Sequence, residues 1–234
     1  MDVIILAGGL GTRLRSMVSD VPKCMAPVAG HPFLHYLFLY LERFSFVEKV
    51  ILSLGYKSEA VITWIEQNYN CNFEIVYSIE DVPLGTGGAV KKALIHSLSE
   101  NVLVLNGDTF FDVDIGFFNN QHIASEALLS IALKPMKSFE RYGNVELNDR
   151  NIISDFNEKT YCDDGQINGG VYLLRNKQNL FSELPNRFSL ETDFLQPAVN
   201  KHEVYGFIHD GYFIDIGIPE DYLKANDVLP TLFI

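Results

Sequence analysis

Apolar residues recur along the chain in two alternating rhythms, and the alternation predicts a sheet layered with helices. Val3-Ile4-Ile5-Leu6 is a continuous apolar run of the kind buried on both faces. Phe33, Leu34, Leu37, Phe38, Leu41 and Phe44 then repeat at helical spacing across 32–46, a broad stripe for packing against a sheet. The unit comes again: a strand over 47–54, a helix over 58–69 with Ser58 as its expected cap, and a strand of period two over 73–78. Residues 83–88 interrupt the pattern before a helix over 89–97, and 101–108 reads as a further buried strand. Strands alternating with helices imply right-handed crossovers. The expected fold class is therefore α/β, with a Rossmann-like, mostly parallel central sheet flanked by helices.

From Glu126 onward the expected strands, 127–133, 143–147, 152–157 and 168–174, lie closer together with fewer helices between them. A first half, 1–125, should be followed by a more antiparallel second half, 126–234. No linker-like stretch divides them, so 1–234 is expected as one domain.

Composition narrows the classes. With 47% apolar and 21% charged residues, neither disorder nor a fibrous class is supported. The longest mostly apolar stretch, 32–41, carries His35 and is too short to span a bilayer. The chain runs into its first strand without a signal-peptide pattern, so a cytoplasmic location is expected. Cys24, Cys71 and Cys162 lack metal-binding spacing and suit reduced thiols. A net charge of −12 argues against DNA or RNA as partner. It does not exclude a small polyphosphate held locally, particularly with a divalent cation sharing the charge.

The candidate chemistry starts where the first strand ends. Leu6 and Ala7 lead into Gly8, Gly9 and Gly11, whose amides can turn inward as a nest for phosphate oxygens. Thr12 and Arg13 follow at once, and Lys23 stands a short distance on. Arg offers a planar fork of donors and Lys a compact point charge, a pairing suited to a triphosphate. The P-loop pattern fails because no Lys-Ser or Lys-Thr follows the glycines. The dinucleotide pattern fails because Leu14 stands in place of the third glycine and Leu54-Gly55 supplies no acidic ribose partner. A ligand-free turn would leave Arg13 and Lys23 without a reason to accompany it.

The strand over 101–108 ends in Gly107 and Asp108, beside the first glycine turn if the sheet is open and parallel. Asp108 reads as a metal ligand. It could instead cap the following turn, a role for which Asp112 and Asp114 are better placed. Pro83-Leu84-Gly85-Thr86-Gly87-Gly88 is a second glycine stretch before a helix, and an ordinary turn leading into that helix remains the alternative.

The run from Leu6 to Leu14, with Pro22-Lys23 downstream, resembles the signature of the sugar-1-phosphate nucleotidyltransferases, and the resemblance runs along the whole chain. Within that family it is similar to the branch that guanylates heptose 1-phosphates. It implies an attack by the sugar 1-phosphate on the α-phosphorus of GTP, releasing pyrophosphate, with Arg13 on the departing pyrophosphate and Lys23 between the phosphates. Pro83, Gly85 and Thr86 would lie over the nucleobase. Tyr142-Gly143, Glu158-Lys159 and the Asn168 to Gly170 stretch would hold the sugar 1-phosphate; Glu158-Lys159 alone is more often a solvated surface pair, and only its place in order among the other motifs raises it. Asp215 matches the second metal ligand and would share Mg²⁺ with Asp108. Ile218 departs from the Thr more common in the family, and the short remainder leaves no room for the β-helix some relatives append.

One clue to the base is physical. Glu80 stands where thymidylyl members carry Gln, and a carboxylate can close as a fork on the adjacent N1–H and N2–H donors of guanine. A solvent-facing Glu beside Asp81 is the alternative. A uridylyl- or thymidylyltransferase and a catalytically silent nucleotide-sugar sensor are the rival functions. The sensor is disfavoured because binding alone does not require Arg13, Lys23, Asp108 and Asp215 together. Monomer and homodimer remain equally open.

Overall fold

The computed structural model describes residues 1–9, 18, 21–157, 159–177 and 180–233. β1 (Asp2–Leu6) runs up the middle of the molecule, followed by the small hairpin of β2 (Pro27–Val28) and β3 (His31–Pro32) and by α1 (Phe33–Glu42). Next come β4 (Lys49–Leu54), α2 (Ser58–Asn68), β5 (Glu74–Ile79), α3 (Gly85–Ala93), β6 (Asn101–Asn106), β7 (Thr109–Phe111) and α4 (Ile115–Ala124). The remainder holds β8 (Leu129–Phe139), β9 (Val145–Leu147), β10 (Ile153–Phe156), β11 (Cys162–Arg175), α5 (Gln196–Asn200), β12 (Val204–Ile208), β13 (Phe213–Asp215) and α6 (Pro219–Val228).

Seven strands form one sheet in the order β12-β8-β11-β6-β1-β4-β5. β1 pairs in parallel with β4 on one side and β6 on the other, and β4 pairs in parallel with β5. The chain therefore reverses its direction of travel across the sheet between β5 and β6, and the carboxyl ends of β1 and β6 flank the switch point where such sheets bind ligands. The antiparallel character of the second half comes from one strand, β11, which runs against both β6 and β8, together with the paired β9 and β10. β12 is parallel to β8.

Alternation along β1 explains the two cores. Val3 and Ile5 face one side with α1, while Ile4 faces the other with Val90 of α3. α1 is buried almost all round, because Tyr36 and Tyr40 also turn inward. Their hydroxyls donate to the carbonyls of Val28 (3.2 Å) and Val113 (2.6 Å), so burial leaves no orphan donor. Phe233 packs its ring against Tyr36 and Phe110, which places the apolar C-terminal turn within its own chain.

Three sequence expectations change. Ser58 does not cap α2; the preceding position is Lys57, in the left-handed region at φ 52°, and Ser58 is already the first helical residue. From inside the turn its hydroxyl is not placed to close on the amides a cap would satisfy. The glycine stretch before α3 is no loop: the helix begins at Gly85. The amides of Gly87 and Gly88 donate to the carbonyl of Phe188, and a Cβ on Gly88 would sit 2.2 Å from Asn186 O. Close approach by the 186–188 segment is what requires glycine there. Finally, β8 and β11 extend past the sheet as a ribbon whose polar ends pair only with each other, so apolar alternation understates their length. Asp114 does cap α4, accepting from Phe117 N at 2.9 Å. No helix among the described residues is long and apolar enough to cross a membrane.

Candidate active site

Two adjoining cavities open at the carboxyl ends of the strands. The first, of about 560 Å³, is framed by Leu6, Ala7, Gly8 and Gly9 where β1 ends. Lys23, Gly107 and Asp108 also line it, as do Glu80, Pro83, Gly85 and Thr86. The second, of about 670 Å³, is lined by Tyr142, Gly143, Lys159, Asn168, Gly170 and Asp215. Both volumes lie in the range of small-molecule sites. Every sequence-expected site residue that the structure describes thus lines one cavity or the other. Gly11, Thr12, Arg13 and Glu158 lie outside the described residues.

Local structure fixes the two acidic groups. Asp108 follows β6, and Asp215 ends β13, which pairs with β7 so that Asp215 lies opposite Thr109. The amide of Ile216 donates to the carbonyl of Asp108 at 3.0 Å, tying the two segments together. Lys23 Nζ donates to Asp108 Oδ2 at 2.7 Å. Asp215 is pushed above the usual carboxylate range, by burial first and by the neighbouring Asp108 second, against the opposing pull of the Gly217 amide and Lys23. Two neighbouring carboxylates form a hard-oxygen donor set suited to a divalent cation. Among the described residues no group of three His, Cys, Asp or Glu is placed to hold a metal. A pair of carboxylates would leave the remaining positions to phosphate oxygens and water, the arrangement Mg²⁺ favours.

Cys24 borders the first cavity but is no nucleophile, because burial and then Asp108 push its thiol up to about 12. Glu80 is held at both oxygens: Oε1 accepts from Ser53 Oγ at 3.2 Å and Oε2 from Leu84 N at 2.9 Å. Each oxygen keeps a further lone pair, so the carboxylate is fixed in orientation without being used up.

In the second cavity the Asn-Gly-Gly stretch is a bulge. Asn168 pairs with Leu133 and Tyr172 with Ile131, so four steps on β11 match two on β8. Gly170 takes φ 72° within it, a conformation open to glycine. The bulge fixes Asn168, whose Oδ1 accepts from Gly170 N and whose Nδ2 donates to Tyr172 OH, both at 2.9 Å.

Sequence reasoning missed two residues that line both cavities, Asn106 and Glu191. Asn106 stands two residues before Asp108, so period two along the strand would have placed it on the same side. Glu191 lies in a π-helical turn, Leu190–Leu195, and its Oε2 accepts from Thr86 Oγ1 (2.6 Å) and Ser189 Oγ (2.9 Å). Ser189 accepting from Thr192 N is a helix-start signal, but nothing local says that Glu191 faces a cavity.

The sequence pattern of the nucleotidyl transferase family matches residues 2–231. The chain is 51% identical to D-glycero-alpha-D-manno-heptose 1-phosphate guanylyltransferase of Aneurinibacillus thermoaerophilus, over 98% of each chain. It is 43% identical to the Campylobacter jejuni protein of the same name, over 95% of this chain and 97% of that one. The crystal structure of HddC from Yersinia pseudotuberculosis complexed with GMP-PN superposes with a TM-score of 0.86 at 37% identity, covering 97% of this chain and 98% of that one. With likeness of this depth from end to end, the chain belongs to the nucleotidyl transferase family.

Proposed function

We propose that the chain transfers GMP from GTP to D-glycero-α-D-manno-heptose 1-phosphate, giving a GDP-heptose and pyrophosphate. The observation that carries this reading is the shared wall, since Asn106 and Glu191 line both cavities and two bound substrates would meet over Lys23, Asp108 and Asp215. The relatives' names supply the two substrates, and the neighbour complexed with GMP-PN supports a guanine nucleotide. Strands of both halves share the seven-stranded sheet, which supports treating 1–234 as one domain.

In this reading an oxygen of the sugar 1-phosphate attacks the α-phosphorus of GTP, and the bond to the β-phosphate oxygen breaks. The nucleophile is already an anion, so no general base is needed. The protein's work is to align two mutually repelling anions and to stabilise charge as it moves to pyrophosphate. Leu6 to Gly9 and Gly107 cradle the nucleotide, with Pro83, Gly85 and Thr86 toward the base, while Lys23 sits between the phosphates. Lys159 takes the sugar phosphate, with Tyr142, Gly143, Asn168 and Gly170 around the ring. Gly11, Thr12, Arg13 and Glu158 keep the roles the sequence suggests. Enzymes of this family generally use a divalent metal ion. We assign Mg²⁺, held by Asp108 and Asp215, which when bound would neutralise charge on the reacting phosphates.

Pyrophosphate release from a panel of triphosphates and sugar 1-phosphates with Mg²⁺ tests the proposal. GTP with the heptose 1-phosphate should give the highest kcat/KM. Faster turnover with UTP or dTTP would overturn the guanylyl assignment, and no turnover in any combination would favour the silent sensor.

A further inference from the structure

The second cavity has an unusual charge balance for a site that takes a dianion. Among the described residues its lining holds two cations, Lys159 and Arg141, against three carboxylates, Glu191, Asp215 and Glu220. Arg141 and Glu220 stand on different walls. Arg141 follows β8 on the turn toward β9, and Glu220 lies in the first turn of α6, yet Arg141 Nη1 donates to Glu220 Oε2 at 3.0 Å. The two side chains are 53% and 63% exposed, so water screens the pair and separating it costs little. The Glu220 carboxyl is held below the usual range by its own backbone amide first and by Arg141 second. Beside Arg141, Tyr142 also lines the cavity, and its hydroxyl is buried without a hydrogen-bond partner. A buried hydroxyl of this kind wants an acceptor.

We infer that Arg141 is a further substrate-binding residue, which leaves Glu220 to take the phosphate of the sugar 1-phosphate, and that Glu220 holds it across the cavity while competing with substrate for it. The inference rests on the reading that this cavity receives a sugar 1-phosphate. A phosphate dianion matches the planar guanidinium fork with two parallel hydrogen bonds and carries more charge than the carboxylate it displaces. Sugar hydroxyls would not displace Glu220. The opposed roles give the two residues opposite kinetic signs. Losing Arg141 removes a ligand, whereas neutralising Glu220 frees Arg141 and removes one negative charge that repels the substrate.

The test is steady-state kinetics with GTP and D-glycero-α-D-manno-heptose 1-phosphate for the wild type, Arg141→Ala, Glu220→Gln and the double variant. Arg141→Ala should raise the KM for the sugar phosphate about tenfold or more, the scale of a charge-assisted hydrogen bond, while the KM for GTP stays within about twofold. Glu220→Gln should lower the KM for the sugar phosphate about two- to fivefold, the scale of an exposed charge pair, and the double variant should behave like Arg141→Ala. If Glu220→Gln raises that KM as Arg141→Ala does, the pair is a structural brace and the inference falls. It falls equally if Arg141→Ala moves both KM values together. Calorimetric binding of inorganic phosphate to the same four proteins keeps this question apart from the choice of sugar and nucleotide. Weaker binding by Arg141→Ala and tighter binding by Glu220→Gln would uphold the exchange even if the heptose substrate proves wrong, and unchanged binding in both would overturn it.

Discussion

Lys23 and Asp108, 85 residues apart in sequence, meet at 2.7 Å in a part-buried ion pair at the end of β6. Asp215 belongs to the same cluster, since a Cβ on Gly217 would lie 2.8 Å from Asp215 Oδ1 and 2.9 Å from Lys23 Nζ. Among the described residues one cation thus faces two carboxylates, and the arrangement stores unfavourable charge rather than minimising it. Asp108→Asn and Asp215→Asn should each lower kcat/KM by roughly 10²–10³, the usual size of one lost electrostatic contact in a transition state. Asp215→Asn should leave Tm unchanged or raise it, because it removes a carboxylate that burial and Asp108 both disfavour. Activity and Tm measured on the same preparations check this. A large drop in Tm with modest loss of rate would make Asp215 structural.

Glu80 tests base selection. Ser53 and Leu84 fix its carboxylate, so Glu80→Gln turns one oxygen into an amide donor within a fixed frame. The GTP-to-UTP ratio of kcat/KM should fall about tenfold or more, since a buried polar mismatch costs about 1–3 kcal/mol. An unchanged ratio would remove Glu80 from base recognition.

Gly88 tests the packing of α3 against the 186–188 segment. Two effects oppose each other in Gly88→Ala. Alanine favours a helix over glycine by about 1 kcal/mol, but its Cβ would stand 2.2 Å from the backbone oxygen of Asn186, and overpacking of this kind costs about 1–3 kcal/mol. A backbone atom cannot rotate away, so the clash should win and chemical denaturation should show net destabilisation. Increased stability would mean that 186–188 yields more easily than its close contact with α3 suggests.

His122 sets a pH dependence. The ring is fully buried on α4, its Nδ1 lies 2.8 Å from Ser130 Oγ and its Nε2 has no hydrogen-bond partner. Burial, and then Arg175, lower its pKa from the ordinary 6.5 to about 4. The native state therefore refuses a proton that the unfolded chain accepts. The stability of the neutral ring is fully present above pH 6.5, declines as pH falls toward 4 and is spent below it, a difference on the order of 3 kcal/mol. Denaturation of wild type and His122→Gln between pH 7 and 4 should give a shallower decline for the variant. Parallel curves would show that the native state accepts the proton on His122 as readily as the unfolded chain does.

The amino-acid sequence by itself determined the central sheet, because strands buried on both faces are written as unbroken apolar runs, as in Val3 to Leu6 and Val102 to Leu105. It also determined where part of the candidate chemistry lies: a parallel sheet points its strand ends at one crevice, so Asp108, at the end of a buried apolar run, could be assigned a place without coordinates, whereas Asp215 ends a strand outside that sheet and was legible only through family resemblance. The tertiary structure alone decided the rest. Residues 85–88 read locally as a loop, yet they open a helix whose Gly87 and Gly88 amides find their acceptor in the carbonyl of Phe188, far along the chain. Glu191 reads locally as an ordinary acidic residue, and only its hydrogen bond to Thr86, 105 residues away, turns it toward the junction of the two cavities. Local pattern records what each segment must bury, whereas contacts between distant segments carry no period and exist only once the sheet has brought them together.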